Sequence, residues 1–255
     1  MTLWSRRRSG PAPHGMAAFA DAIPPESFRH IASYQARFGA APIERVVHVS
    51  LDRLGFFTAH APRLFEYPWI IDAVMRHGGE MVVDLGAGVS PVPLILSGTG
   101  KTVMTVDNSS MVRVLDGQTA IHEWGFLDYA TLDPRMRSVN TSFENADFSP
   151  FTVNCVYSIS VIEHMPATVR RSIFAKIGDM LVEGGSFIAT FDLHPKTYRL
   201  WNYALGVQVD ASDHGTLHEV IVELQSNGIF MEYCDIVRDL PGAFTDIVCL
   251  MGRKG

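Results

Sequence analysis

The spacing of apolar residues changes twice along this chain, and the changes divide it into three parts. Residues 1–24 show no period; Arg, Gly, Pro and Ala dominate, and the stretch reads as a disordered leader. From 25 to 78 apolar residues recur at three and four: Phe28, Ile31, Tyr34 and Phe38, then Val46, Val47, Leu51 and Leu54, then Leu64, Ile70, Ile71, Val74 and Met75. Gly39, Gly55, Pro62 and Gly78-Gly79 cut this stretch into two or three helices, a helical cap or lid ahead of the next unit. From 79 to 255 short apolar runs alternate with helical stretches. The runs predict strands at 82–85, 102–106, 139–143, 153–159, 186–191, 229–237 and 246–251. Helices are expected at 91–97, 109–124, 166–181 and 212–226. Ser90 would cap the first, Asn108 or Ser109 the second, and Gly184-Gly185 would stop the third. Strands that are apolar throughout belong to a parallel sheet covered on both faces. The connection 238–245 is too short for a helical crossover, so the last two strands should pair antiparallel. The pattern therefore predicts an α/β fold. Its seven-stranded sheet is mostly parallel with an antiparallel last strand and is flanked by helices.

Four polar features fall at the C-terminal ends of successive strands, where open α/β sheets bind ligands. The first is Asp84-Leu85-Gly86-Ala87-Gly88, followed by Val89, Ser90 and Pro91. Glycines there let backbone approach a ligand. A dinucleotide fingerprint needs a third glycine at position 91, which is proline here, so a nucleoside ligand without a helix-bound pyrophosphate fits better. The second is Asp107, 19 residues beyond Gly88, a carboxylate able to accept from two vicinal hydroxyls. The third is Asp147-Phe148, an acid for an exocyclic amine beside an aromatic ring. The fourth is the strand end carrying Ser158, Ser160 and then His164.

Composition narrows the partners. With 21 basic against 27 acidic residues and a net charge of −6, the chain lacks the basic footprint of a nucleic-acid binder. No apolar stretch reaches membrane-spanning length, and Arg6-Arg7-Arg8 is not followed by the apolar run of a secretory signal. Cys155, Cys234 and Cys249 are odd in number and form no CxxC pair, which fits buried thiols in the cytoplasm.

In order and spacing these features resemble the class I S-adenosylmethionine-dependent methyltransferases of small-molecule type, over roughly residues 65–255. Residues 82–88, 102–107, 146–148 and 156–164 match the family's successive motifs, and 181–187 match its turn before the fifth strand. The resemblance implies a Rossmann-like sheet and S-adenosyl-L-methionine as cofactor. It also implies transfer of a methyl to a small metabolite, as in biosynthesis or specialised metabolism, in a monomer or homodimer. Asp84, Gly86, Ala87 and Gly88 would hold the methionine arm, with Tyr67 beside it. Asp107 and Asn108 would hold the ribose, Asp147 and Phe148 the adenine, and Ser160 would lie near the sulfonium. His164 is the candidate general base, because imidazole titrates near neutral pH. The acceptor is expected between the cap and the aromatic connection 192–211, against Trp69, Tyr198, Trp201 and Tyr203. His214, His218 and Glu219 lack a third ligand at metal spacing, so no metal is expected. Two alternatives stay open. In one, the same cofactor cyclises its aminocarboxypropyl arm to azetidine-2-carboxylate, releasing methylthioadenosine in place of S-adenosylhomocysteine, inside an aromatic cage of Tyr67, Trp69 or the 198–203 group. In the other, the chain binds cofactor without turnover.

Overall fold

The computed structural model describes residues 43–59, 61–115, 122–201 and 214–255, with the backbone of 203–204 and 207–208. The predicted leader and the first part of the cap lie outside these residues. The cap's described part is two helices, α1 (Ile43–Arg53) and α2 (Ala61–His77). Then follow β1 (Met81–Leu85), α3 (Val92–Gly98), β2 (Thr102–Asp107), and the two-residue strands β3 (Val112–Arg113) and β4 (Phe126–Leu127). Next come β5 (Arg137–Asn140), β6 (Val153–Ile159), α4 (Ala167–Met180) and β7 (Leu181–Leu193). The chain ends with β8 (Tyr203–Ala204), β9 (Val207–Gln208), α5 (Leu217–Ser226), β10 (Ile229–Val237) and β11 (Asp246–Lys254).

Seven strands form one sheet in the order β10-β11-β7-β6-β1-β2-β5. From β5 to β7 the neighbours are parallel, while β11 runs antiparallel to both β7 and β10, as the short last connection requires. Chain order reverses at β1, which has β2 on one side and β6 on the other. That reversal opens a crevice at the strand ends. Strand alternation sorts side chains onto two cores. Val82, Val103, Cys155, Tyr157 and Ile188 face α1–α3, while Val83, Leu85, Met104, Val156 and Phe187 face α4 and α5. Asp84 lies between Val83 and Leu85, so it points to the α1–α3 face.

Several expected elements differ. No helix forms in the described part of 109–124. Instead β3 pairs parallel with β4, and Gly125 turns at φ +124°. Met111, Val112 and Val114 are 50%, 61% and 62% exposed, so a helix there has no apolar face to bury. Ser90 does not cap α3; the cap position falls to Pro91, and the Ser90 hydroxyl is buried without a partner. Gly184 and Gly185 do not end α4, which stops at Met180; the pair sits inside β7, where its register with β6 shifts. The strand expected at 139–143 is displaced to Arg137–Asn140, and Phe143 starts a short 3-10 turn. The helix expected from 212 begins at Leu217, where Thr216 and Glu219 form a reciprocal capping box.

Candidate active site

The turn after β1 folds tightly against its own chain. Gly86 has φ +73°, and a Cβ there would lie 2.7 Å from the Val161 side chain. Gly88 has φ +49°, and a Cβ there would meet the Glu123 carbonyl oxygen at 2.6 Å. Glycine is therefore required twice, by conformation and by space. The Gly88 N–H donates to Asp107 Oδ2 at 2.9 Å, and the Ser109 N–H donates to Oδ1 at 2.7 Å. These bonds fix the Asp107 carboxylate across the mouth of the crevice. Tyr129, fully buried, accepts from the Ser90 N–H at 2.7 Å and donates to the Ser90 carbonyl at 3.0 Å, pinning the far end of the turn.

Asp84 is 2% exposed, and its Oδ2 has no partner. Burial pushes its carboxyl up to about 8; the nearby Tyr157 hydroxyl opposes this and the Asp107 charge adds to it. A buried acid with an open oxygen is set to receive a cation.

From the other side α2 delivers Arg63, Glu66 and Tyr67, spaced to share one helix face. Arg63 Nη1 donates to Glu66 Oε2 at 2.6 Å and to the Ser160 hydroxyl oxygen at 2.7 Å, while Nε reaches Glu123 at 3.0 Å. The Ser160 hydroxyl in turn donates to Glu66 Oε1 at 2.7 Å. Ser160 itself is left-handed, φ +51°, a strained conformation of the kind that collects at functional sites. Tyr67 lies beneath the Arg63 guanidinium, and burial pushes its hydroxyl pKa far up, so it stays a neutral phenol.

Together these residues line a cavity of about 340 Å³. Tyr67, Asp84, Gly86, Ala87, Gly88, Asp107, Asn108, Ser160 and His164 all border it. The wall around His164, then the His214 ring and Arg63, disfavour its imidazolium and lower its pKa. Sequence reasoning placed Glu66, with Tyr67, Pro68 and Trp69, in the segment expected beside the cofactor's amino-acid end, but missed Arg63, Glu123 and Trp124 on the same wall. The signal for Arg63 was a charge three residues before Glu66 on one helix.

Other candidates stand elsewhere. Phe148 is buried against Phe143, ring centroids 5.0 Å apart, and Asp147 is exposed, its carboxylate taken by the Ser149 N–H and hydroxyl. Neither reaches the crevice; they border a separate cavity with Lys176. This is a turn closed on itself, which is why its acid is not available there. Trp69 is 6% exposed and stacks on Tyr233 of β10, so it is core rather than pocket wall. Tyr198 is 61% exposed under the Arg238 guanidinium, and Trp201 packs on His194. The Tyr203 side chain lies outside the described residues. Glu219 is spent in its capping box, and His214 Nδ1 pairs with the Glu163 carbonyl at 2.7 Å.

A parallel sheet reversing at β1, a glycine turn beside it, and an acid closing β2 define the class I S-adenosylmethionine-dependent methyltransferase fold. Solved structures agree. The chain is similar to magnesium protoporphyrin IX methyltransferase (ChlM) from Synechocystis PCC 6803, with bound S-adenosylhomocysteine, at 14% identity over 90% of this chain and 94% of that one, TM-score 0.53. It is also similar to 1,6-didemethyltoxoflavin-N1-methyltransferase from Burkholderia thailandensis, bound to 1,6-didemethyltoxoflavin and S-adenosylhomocysteine, at 16% identity over 95% and 90%, TM-score 0.51. A third likeness is the N-methyltransferase NodS from Bradyrhizobium japonicum WM9, at 11% identity over 74% and 94%, TM-score 0.53. No family model and no curated protein matches the chain.

Proposed function

We propose that this protein is a cytoplasmic S-adenosylmethionine-dependent methyltransferase acting on a small molecule. The observation that carries the reading is the open Asp84 Oδ2 facing one cavity with the glycine turn and the Asp107 carboxylate. The cofactor is a zwitterion on a nucleoside, and the donor set matches it part by part. Asp84 would take the ammonium of the methionine arm and Arg63 its carboxylate, with Gly86, Ala87 and Gly88 providing clearance for the arm. Asp107 would accept from the ribose hydroxyls while keeping its two backbone donors. Asn108 and Trp124 border the same end and would flank the base. Asp147 and Phe148 have no part in this assignment. The bound cofactor supplies an electrophilic methyl on sulfur, so the protein's task is to align an acceptor atom at about 3–3.5 Å. His164, kept neutral at pH 7, would accept a proton from the acceptor where one must leave. Cys155 and Cys249 are buried free thiols, which supports a reducing compartment, whereas Cys234, also expected to be buried, is exposed. Among the described residues no helix is long and apolar enough to cross a membrane.

Cyclisation of the cofactor arm rests on an aromatic cage around the sulfonium. Of its candidates with described side chains, Tyr67 alone borders the cavity, so methyl transfer is the reading kept. The test is incubation with S-adenosylmethionine across a panel of small alcohols, amines and carboxylic acids, with mass analysis of all products. S-Adenosylhomocysteine with a methylated acceptor is expected. Methylthioadenosine as the main product, or failure of S-adenosylhomocysteine to bind in calorimetry, overturns the proposal.

A further inference from the structure

Next to Ser160 lies a second polar cluster that the cofactor assignment does not use. Glu163 follows β6 and is fully buried; Asp192 lies near the end of β7, and its N–H donates to Glu163 Oε1 at 3.3 Å. The remaining oxygens, Glu163 Oε2 and Asp192 Oδ1, are buried without partners. So is the hydroxyl of Thr190, which is itself fully buried. Thr190 and Asp192 are two apart on β7 and share the α2-side face with Ile188. Interiors rarely leave even one such group open; here three stand at the ends of the paired strands β6 and β7. The cluster adjoins the crevice through Ser160, whose N–H donates to the Thr190 carbonyl at 2.9 Å, and through His164, the chain neighbour of Glu163.

Charge says what belongs there. The groups facing the pair are Glu66 and Arg63 from α2, the Thr245 hydroxyl ahead of β11, and each other. The one cation among them, Arg63, is bonded to Glu66 and Glu123 and is assigned above to the cofactor's carboxylate, so no counter-ion is dedicated to the pair. Burial pushes both carboxyls up; the Asp192 charge and Glu66 raise Glu163 further, and Glu66 raises Asp192 while Arg63 opposes it, so the empty pair retains a proton. A ligand bearing its own positive charge can displace that proton and satisfy all three open oxygens. A neutral donor would leave the pair its proton, and an anion would add repulsion. We infer that the methyl acceptor carries a basic nitrogen, held as an ammonium by Glu163, Asp192 and the Thr190 hydroxyl. This rests on the methyltransferase reading, whose acceptor it specifies.

The test is titration calorimetry with butylammonium and benzylammonium against butanol, benzyl alcohol and butyrate, with and without S-adenosylhomocysteine, in two buffers of different ionisation enthalpy. Each ammonium should bind about tenfold or more tighter than its alcohol, the ratio expected of a charge-assisted contact. It should release close to one proton at pH 7, which a merely structural pair would not do. Glu163→Gln with Asp192→Asn should abolish the preference and leave S-adenosylhomocysteine affinity within about twofold. The wild-type comparison decides the matter even if that variant does not fold. Equal binding of alcohol and ammonium, no ammonium binding up to about 10 mM, or a preference that survives in the variant overturns the inference. If the nucleoside fails to bind while the ammonium preference holds, the cofactor reading falls and the ammonium site stands; the reverse result does the opposite.

Discussion

Glu66→Ala should be the most damaging single truncation beside the crevice. Glu66 is fully buried and accepts two hydrogen bonds, from Arg63 at 2.6 Å and from the Ser160 hydroxyl at 2.7 Å. Its removal strands a guanidinium whose side chain is only 14% exposed. Breaking a buried pair from one side costs about 3–5 kcal/mol. Glu123, 3.0 Å from Arg63 Nε, still neutralises part of the charge, which places the expected loss near the lower end, about 3 kcal/mol. In a chain of this size that is a fall in Tm of about 6–12 °C. Glu66→Gln keeps the volume and an acceptor for Ser160 and should cost about half as much. The double variant Arg63→Met with Glu66→Ala removes both charges, so it should be more stable than the sum of the singles by about 2 kcal/mol. Urea unfolding of the wild type, Glu66→Ala, Glu66→Gln, Arg63→Met and the double variant at pH 7, followed by circular dichroism, measures this. A loss under about 1 kcal/mol for Glu66→Ala, or additive singles, would show that the network is weakly held and that Ser160 is not kept left-handed by it.

Two further outcomes follow from the titrating groups. Asp84 has its carboxyl raised to about 8, so the folded protein holds that proton more tightly than the unfolded chain, whose pKa is about 4. Its stabilising contribution is complete below about pH 4 and is lost as pH rises through 8, at up to about 1.4 kcal/mol per pH unit. Asp84→Asn should flatten that slope in urea midpoints taken from pH 5 to 8, and an unchanged slope rules the assignment out. For His164, the histidine resonance missing from His164→Gln should titrate below about 6.5 in wild-type NMR spectra; a value above that would remove His164 as a neutral base at pH 7.

The sheet was legible because its central strands β1, β2 and β6 are buried on both faces, and such strands leave continuous apolar runs. Strand β6 and β10 match the expected bounds residue for residue, and β1 and β2 differ by one position. The failures share a cause. At 109–124 the helical spacing of apolar residues was real, but Met111, Val112 and Val114 are left exposed, with no surface opposite them. At Gly184-Gly185 the glycines mark a break in register rather than the end of a helix. Spacing reports which side chains could share a face, not whether anything lies opposite that face.

The same distinction explains which site residues could be read. Strand-borne candidates at the crevice, Asp84, Gly86, Gly88, Asp107 and Ser160, were found because a strand end fixes its residues' position whatever surrounds it. Arg63 was missed because α2 is buried on nearly every side, Pro68 included, so periodicity could not say which face meets the sheet. Its charge was the usable signal: a buried ion must have a partner, and Glu66 at i+3 supplies one. Asp147 shows the converse, since an exposed acid followed two residues on by serine closes its own turn and needs no ligand. A narrower rule holds for acids inside a strand. An acid with a buried apolar neighbour on each side in a strand has no local backbone turn to satisfy it, unlike Asp107, which closes β2 and takes the Ser109 N–H. Asp84 obeys that rule, and so does Asp192, two residues beyond the buried Thr190 on β7.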